Sequence, residues 1–531
     1  MNIRVLDCTL RDGGYCNNWD FGNENVKYII DKLVEAKLDI IEIGFLSDKK
    51  VETENNSIFR SVEKINKVIP YEKNNSEFVC MCNYGEIDFN KIEDSSVTRI
   101  DGIRVAFHKK DWKDALVQSE IVKLKGYKVY LQPMVTMSYS DKELIELIEK
   151  ANQMCPEAFY IVDSFGSVKR EDMLRMYYLI NNTLNKEIKI GFHSHNNMQL
   201  SYANSQRFVE IYDDRDKIID ASVFGMGRGA GNLNTELFVE YLNNCHEKEY
   251  VIYPLLQTID NVLNKIYLEQ YWGYSLPHYL SAKYNCHPNY ATYLSNKNTL
   301  NIAAINEVLS RISEEEKVNY SKDLIERIYV DYQSEEYVET NELTRLKGIL
   351  EEAPIVILAP GASLKSDSTL VIQKIKELKA KIICVNFVAQ EIKPDFVFVS
   401  NKKRFEQFEK VFDELSQGLI YTSNIHIENS AEKYCVNYKS VRNDTVGVED
   451  NSTLMLLQLI NNMGIRKVYI AGFDGYSSYM NNYFDANLIT NLEREQMDII
   501  NEGIKIQLMK MSHCLELEFI TPSMFFAREG K

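Results

Sequence analysis

Val5-Leu6-Asp7-Cys8-Thr9-Leu10-Arg11-Asp12-Gly13-Gly14 is the stretch from which the fold can be read. An apolar run with polar alternate residues reads as a β-strand, and it closes on a cation, a carboxylate and two glycines. Parallel α/β enzymes keep their chemistry at the carboxyl ends of strands. Asp-Gly-Gly is also an ordinary turn, so the segment needs company. Gly191-Phe192-His193-Ser194-His195-Asn196-Asn197 supplies it, with two histidines at strand spacing. Successive strand side chains alternate faces, so His193 and His195 project together and Ser194 points the other way.

Working outward, strand and helix signals alternate. The pattern predicts strands at 4–10, 40–45, 78–83, 102–107, 128–135, 159–165, 189–196 and 219–225, separated by helical periodicity such as 25–36 and 141–152. Eight such units in about 240 residues suit a (β/α)8 TIM barrel, with an open doubly wound sheet as the alternative. In a barrel all strand ends converge on one face. Arg11 and Asp12 then end strand one, Glu42 lies in strand two and Gln132 on strand five. Asp163 and Ser164 end strand six, the histidines end strand seven, and strand eight runs into Gly225-Met226-Gly227-Arg228-Gly229-Ala230-Gly231-Asn232. If the imidazoles point inward, they form with the Asp12 carboxylate and the Asn232 amide a mixed nitrogen and oxygen site. Without a thiolate such a site favours Mn²⁺ or Mg²⁺, with Zn²⁺ or Co²⁺ as alternatives. A surface cross-strand histidine pair is the plain alternative.

Composition narrows the function class. The chain has 531 residues, 45% hydrophobic and 26% charged, which is globular protein in two or three domains. A formal charge of −16 argues against nucleic acid or an anionic membrane as partner. No apolar run approaches the ~18 residues of a membrane span, and the first residues do not read as a secretion signal, so the expected compartment is the cytoplasm. Ten cysteines lie scattered; Cys80-Met81-Cys82 reads as core thiols rather than a metal or redox pair.

Leu10-Arg11-Asp12-Gly13, His193-Ser194-His195-Asn196 and Gly229-Ala230-Gly231-Asn232, in that order and on those strands, resemble the three signatures of the DRE-TIM metallolyases, the group of 4-hydroxy-2-oxovalerate aldolase, hydroxymethylglutaryl-CoA lyase and isopropylmalate synthase. The resemblance covers residues 1–240 well and extends more loosely through Trp272-Gly273-Tyr274-Ser275. It implies Asp12, His193, His195 and Asn232 as metal ligands, with Arg11 facing an oxygen that becomes an enolate. It further implies Ser164 as a substrate carboxylate contact and Tyr274 as the tyrosine near the alkoxide. Gln132 is a further substrate-contact candidate. Glu42 either orders Arg11 or a metal-bound water, or is simply its salt-bridge partner. Aldolases of this group carry a histidine just after the Arg-Asp-Gly run; Tyr15 stands there in this chain, and an unperturbed phenol near pKa ~10 is a poor base. His108, His278 and His287 read as surface or core groups, and residues 285–288 as a helix boundary.

Residues 241–340 read as a helical extension that caps the barrel or forms a homodimer contact, and 341–353 as a polar linker. From 354 to 531 a second α/β pattern begins, with strands at 355–358, 381–387, 396–400, 419–422, 467–472 and 517–521. The first runs into Ala359-Pro360-Gly361-Ala362-Ser363-Leu364, either a loop of the kind that offers backbone N–H groups to a phosphate or, since it lacks a full Gly-x-Gly-x-x-Gly, simply a tight strand–helix turn. This loop, Val385-Asn386 before Pro394-Asp395, and Ser452-Thr453-Leu454 leading to Ala471-Gly472-Phe473-Asp474-Gly475 together resemble sialyltransferase-like and pterin-diphosphokinase-like proteins. That resemblance implies a Rossmann-like domain for a nucleotide or nucleotide sugar, with Gly361, Ser363, Asn386 and Asp474 as candidate contacts. The expected whole is a divalent-metal aldolase or lyase that acts on a 2-oxo acid through a metal-stabilised enolate, placed in surface-carbohydrate synthesis. The alternatives are a Claisen-type acyl-CoA synthase and a glycosyltransferase-like protein with a non-catalytic barrel.

Overall fold

Strand residues buried on both sides pack only if each face meets its own core, and the first half of the chain meets that condition by closing a sheet on itself. The computed structural model describes residues 2–334, 337, 342–389, 392–413, 418–427, 433–479, 481–485, 488–489, 492 and 494–526. Eight parallel strands form the barrel: β1 (Ile3–Asp7), β2 (Ile40–Leu46), β3 (Glu77–Asn83), β4 (Gly102–Phe107), β5 (Lys128–Pro133), β6 (Ala158–Asp163), β7 (Lys189–Ser194) and β8 (Lys217–Ala221). Each pairs with the next, and β1 pairs with both β2 and β8, which closes the ring. The two-residue strand Ile58–Phe59 adds to β2. Ala158, Tyr160 and Val162 of β6 point inward with Leu6, Ile40, Val79, Tyr130 and Ile218, while Phe159 and Ile161 point out to the helices.

The expected strands are present, with ends displaced by a few residues and several trimmed where turns begin. β1 stops at Asp7, not at residue 10, because the carbonyl of Cys8 turns back to accept the N–H groups of Arg11 (3.1 Å) and Asp12 (2.8 Å). Arg11 and Asp12 therefore ride on a tight turn above the barrel.

The second unit contains a seven-stranded parallel sheet: β9 (Ile355–Leu358), β10 (Lys381–Val385), β11 (Phe396–Val399), β12 (Gly418–Thr422), β13 (Lys433–Val436), β14 (Lys467–Ala471) and β15 (Glu516–Phe519), in the order β13-β12-β11-β10-β9-β14-β15. Ile355 and Ile357 enter one core, Val356 and Leu358 another, so the sheet is covered on both faces. β13 was not anticipated: four residues at the sheet edge carry too little periodicity to read.

Contacts divide the chain into two units, one of Met1–Thr292 with Ser313–Tyr320, the other of Tyr293–Ile312 with Ser321–Lys531. The helical stretch anticipated at 241–340 is thus shared between the two units. The anticipated linker is largely structured too. Residues Glu342–Leu350 form a helix whose Leu346 and Leu350 are buried in the second unit's core, and the segment's polarity belongs to its outer side. Residues 338–341 lie outside the described residues. Among the described residues no helix is long and apolar enough to cross a membrane.

Candidate metal centre

In-register neighbours on parallel strands point the same way. His193 pairs with the inward-facing Val162, and Asp220 with the inward-facing Leu6, so both project into the barrel. Glu42 pairs with Val79, and Arg104 with Tyr130, with the same result. The turn after β1 brings Asp12 over them. Asp12 Oδ2 lies 3.7 Å from His193 Nε2 and 3.6 Å from His195 Nε2, and all three side chains are buried. These gaps are too long for hydrogen bonds and wide enough for an ion between the three ligands.

The surroundings prepare those ligands. His193 Nδ1 donates to Asp220 Oδ2 at 2.9 Å, which fixes the tautomer and turns the Nε2 lone pair towards Asp12. Arg104, with no exposed surface, joins Asp220 to Glu42, whose Oε2 is 2.8 Å from Arg104 Nη1 and 2.8 Å from Arg11 Nε. Arg11 Nη1 reaches Asp12 Oδ1 at 3.0 Å. The buried chain thus runs His193, Asp220, Arg104, Glu42, Arg11, Asp12. Its three carboxylates outnumber its two guanidiniums, so it carries an unbalanced negative charge that suits a dication. Burial opposes ionising Asp12, but Arg11 and the two imidazoles outweigh it and hold the carboxyl well below its ordinary range. Burial lowers His195 to about 3 against the pull of Asp12, so its imidazole is neutral and able to ligate. Its Nδ1 is buried without a hydrogen-bond partner among the described residues.

The backbone admits this arrangement at two glycines. A Cβ on Gly14 would lie 2.0 Å from the Trp19 indole, whose Nε1 donates to the carbonyl of Arg11 at 2.7 Å. A Cβ on Gly227 would lie 2.2 Å from the Asn232 amide nitrogen. Asn232 reaches the centre as a donor to Asp12 Oδ2 at 2.7 Å, so it braces that carboxylate, and its Oδ1 is buried without a partner among the described residues.

The remaining anticipated residues fall at different distances from this cluster. Gln132 is buried on β5, its Nε2 making no hydrogen bond to the described residues. Ser164 follows β6; its Oγ accepts the N–H of Val135 at 3.0 Å and its carbonyl accepts Arg228 Nη2 at 2.9 Å. Tyr15 sits edge-on to Trp19 at 4.7 Å, with the Arg228 guanidinium 5.7 Å from its ring centre. The residue is 39% exposed, yet crowding around the ring raises the phenol above its ordinary value, with Arg228 offsetting part of the rise. Tyr274 is half exposed, and among the described residues no hydrogen bond or ring contact ties it to the cluster. The residues that sequence reasoning overlooked are Arg104, Asp220 and Arg228. The first two had a signal, a charge amid apolar strand residues in Gly102-Ile103-Arg104-Val105 and Ile218-Ile219-Asp220-Ala221.

Residues 2–260 match the model of the family described as HMGL-like. The match spans the barrel and just under half of the chain. This HMGL-like barrel is an enzyme domain of the metal-dependent lyase and aldolase kind, and Asp12, His193 and His195 are its divalent-metal site. The chain is 25% identical over 271 residues to a 4-hydroxy-2-oxovalerate aldolase of Geobacillus genomosp. 3, a match covering 48% of this chain and 78% of the relative. It is 24% identical over 252 residues to an oxaloacetate decarboxylase of Mycobacterium tuberculosis, covering 45% of this chain and 69% of that one. Among solved structures, an HMG-CoA lyase from Brucella melitensis matches 48% of this chain and 96% of its own at 14% identity and a TM-score of 0.41.

Beyond the HMGL-like barrel, Gly361, Ser363, Asn386 and Asp474 line one cavity of about 500 Å³ at the carboxyl ends of the second unit's strands. The loop there differs from a phosphate cradle. Asp474 itself accepts the Ser363 N–H at 2.8 Å and the Ser363 hydroxyl, so a carboxylate fills the place expected for a phosphate. Asn386 donates to Ser452 Oγ at 2.7 Å.

Proposed function

We propose that the barrel makes or breaks a carbon–carbon bond next to a 2-oxo acid, releasing or consuming pyruvate or a close relative. The observation that carries this reading is the convergence of Asp12, His193 and His195 beside the Arg11 guanidinium in one buried cluster. A divalent ion on those ligands, Mn²⁺ or Mg²⁺ before Zn²⁺ or Co²⁺, would supply Lewis acidity to the 2-oxo oxygen. Glu42 and Asp12 fix two edges of Arg11, and its Nη2 makes no hydrogen bond to the described residues, leaving it to meet charge that develops on that oxygen. Gln132 offers a further donor from β5. A raised Tyr15 phenol stays protonated at neutral pH, which suits a proton donor better than a base. The matched relatives' names, a 4-hydroxy-2-oxo acid aldolase and an oxaloacetate decarboxylase, both concern 2-oxo acids and support the same class.

Pyruvate release from a 4-hydroxy-2-oxo acid by the full chain tests this. Turnover should need added metal and vanish in His193→Ala. Free thiol from acetyl-CoA, with no pyruvate released, would instead favour the Claisen-type synthase. We further propose that the cavity of the second unit takes a nucleotide or nucleotide sugar, with Lys297 and Arg404 on its wall and Tyr476 and Tyr483 available for stacking. This would make the protein a cytoplasmic two-module enzyme of surface-carbohydrate synthesis; all ten cysteines are free thiols, as a reducing compartment requires.

A further inference from the structure

A second cavity, of about 260 Å³, lies within the barrel unit. Val162 lines it, and Val162 is the register partner of His193, which puts one lining residue next to a ligand of the metal centre on the β6 side. Its outer wall is the segment Ser313–Tyr320, which rejoins the barrel unit after residues 293–312 have served the other one. That wall is pinned: the carbonyl of Lys317 accepts the His287 N–H at 2.9 Å, and Tyr290 Oη donates to the carbonyls of Glu316 (2.9 Å) and Asn319 (2.7 Å). The family match ends at residue 260, so this wall lies outside the matched region.

The lining sets the apolar side chains of Val135, Met137, Val162, Phe165 and Val318 among serine hydroxyls and charges that are already engaged. Lys317, the cation on the lining, is already paired with the exposed Glu314. Asp163 spends its oxygens on the N–H groups of Ser167 (2.9 Å) and Val168 (3.2 Å). The hydroxyls of Ser138 and Ser167 make no hydrogen bond to the described residues, and Ser164 Oγ, which accepts from Val135, still has its own proton to donate. Such a pocket offers a distal carboxylate or phosphate only a cation that is already paired, and rewards a short chain carrying hydroxyls. Its volume falls below the ~300–1,000 Å³ of sites for drug-sized ligands.

We propose that this pocket receives the hydroxylated carbon chain beyond C4 of the substrate, so that the barrel's preferred 2-oxo acid is a longer polyhydroxylated one. The inference rests on the aldolase reading. In the addition direction C3 of pyruvate loses a proton and bonds to the aldehyde carbon, whose oxygen gains a proton; no atom is lost and nothing is oxidised.

The test compares, on the metal-loaded full chain with pyruvate, addition to D-glyceraldehyde and to propanal, which has the same carbon count without the extra hydroxyls. Glyceraldehyde should be preferred at least tenfold in kcat/KM. Ser167→Val should cut that ratio at least fivefold and Ser167→Thr should retain it. Independently of turnover, saturation-transfer NMR on the metal-free chain should show erythritol, and not butane-1,4-diol, bound in a way that Val318→Trp abolishes. Addition at equal rates, or a ratio that Ser167→Val leaves unchanged, overturns the pocket assignment while the aldolase reading stands. Absence of addition to both aldehydes overturns both.

Discussion

His193 Nδ1 lies 2.9 Å from Asp220 Oδ2, and the same carboxylate binds the fully buried Arg104. The imidazole is therefore oriented from behind by a charge that is itself anchored in the barrel interior. A neutral replacement should leave the fold recognisable and loosen the metal.

Asp220→Asn is expected to weaken Mn²⁺ binding about 10–100-fold, read by equilibrium titration of the full chain. Asp220→Ala should in addition destabilise the barrel by about 3–5 kcal/mol, because Arg104 is left with one buried partner instead of two. Unchanged Mn²⁺ affinity in both variants would remove Asp220 from the account.

Arg11→Lys keeps the charge and loses the fork that spans Glu42 and Asp12. Metal affinity should change little, while kcat should fall about 10²–10³-fold with KM less affected. A rate equal to that of the parent would show that the guanidinium does not face the reacting oxygen.

Gly14→Ala places a methyl group inside the Trp19 indole and must displace the turn that carries Arg11 and Asp12. The expected loss is about 1–3 kcal/mol of stability together with weaker metal binding. Thermal unfolding with and without Mn²⁺ separates the two effects.

Asp7 is fully buried, and burial raises its carboxyl to about 6 despite hydrogen bonds from Thr235 and Thr9. Between the ordinary aspartate value and about 6 the folded chain binds more protons than the unfolded one, so this group's contribution to stability declines as pH rises through that window and levels off above it. Asp7→Asn lacks the ionisation. Its stability relative to the parent should climb by about 2–3 kcal/mol from pH 4 to pH 7, measured by urea unfolding. A difference that does not vary with pH would contradict the raised carboxyl.

Much of the centre was legible because barrel topology turns linear spacing into convergence. His193 and His195, two residues apart, share a face on any strand, and a closed ring leaves one place for that face to point. Asp12 was legible for a different reason, the glycines that follow it. Arg104 and Asp220 were harder: a single charge in an apolar strand gives no partner by itself, and their pairing joins β4 to β8 across the barrel. The segment 313–320 was illegible altogether, since nothing local tells a chain that has left one unit to return. In the second unit, the loop at Gly361–Ser363 read as a phosphate cradle because the carboxylate that fills it, Asp474, comes from a distant strand end.

The most direct test of the account is deuterium exchange into the methyl group of pyruvate, followed by NMR in D₂O on the full chain with Mg²⁺. Enolate formation on the Asp12, His193 and His195 centre predicts exchange that stops when the ion is chelated, returns on its addition, and is absent in His193→Ala even with metal in excess. Exchange that persists in His193→Ala at the parent rate, or that ignores chelation, would contradict it.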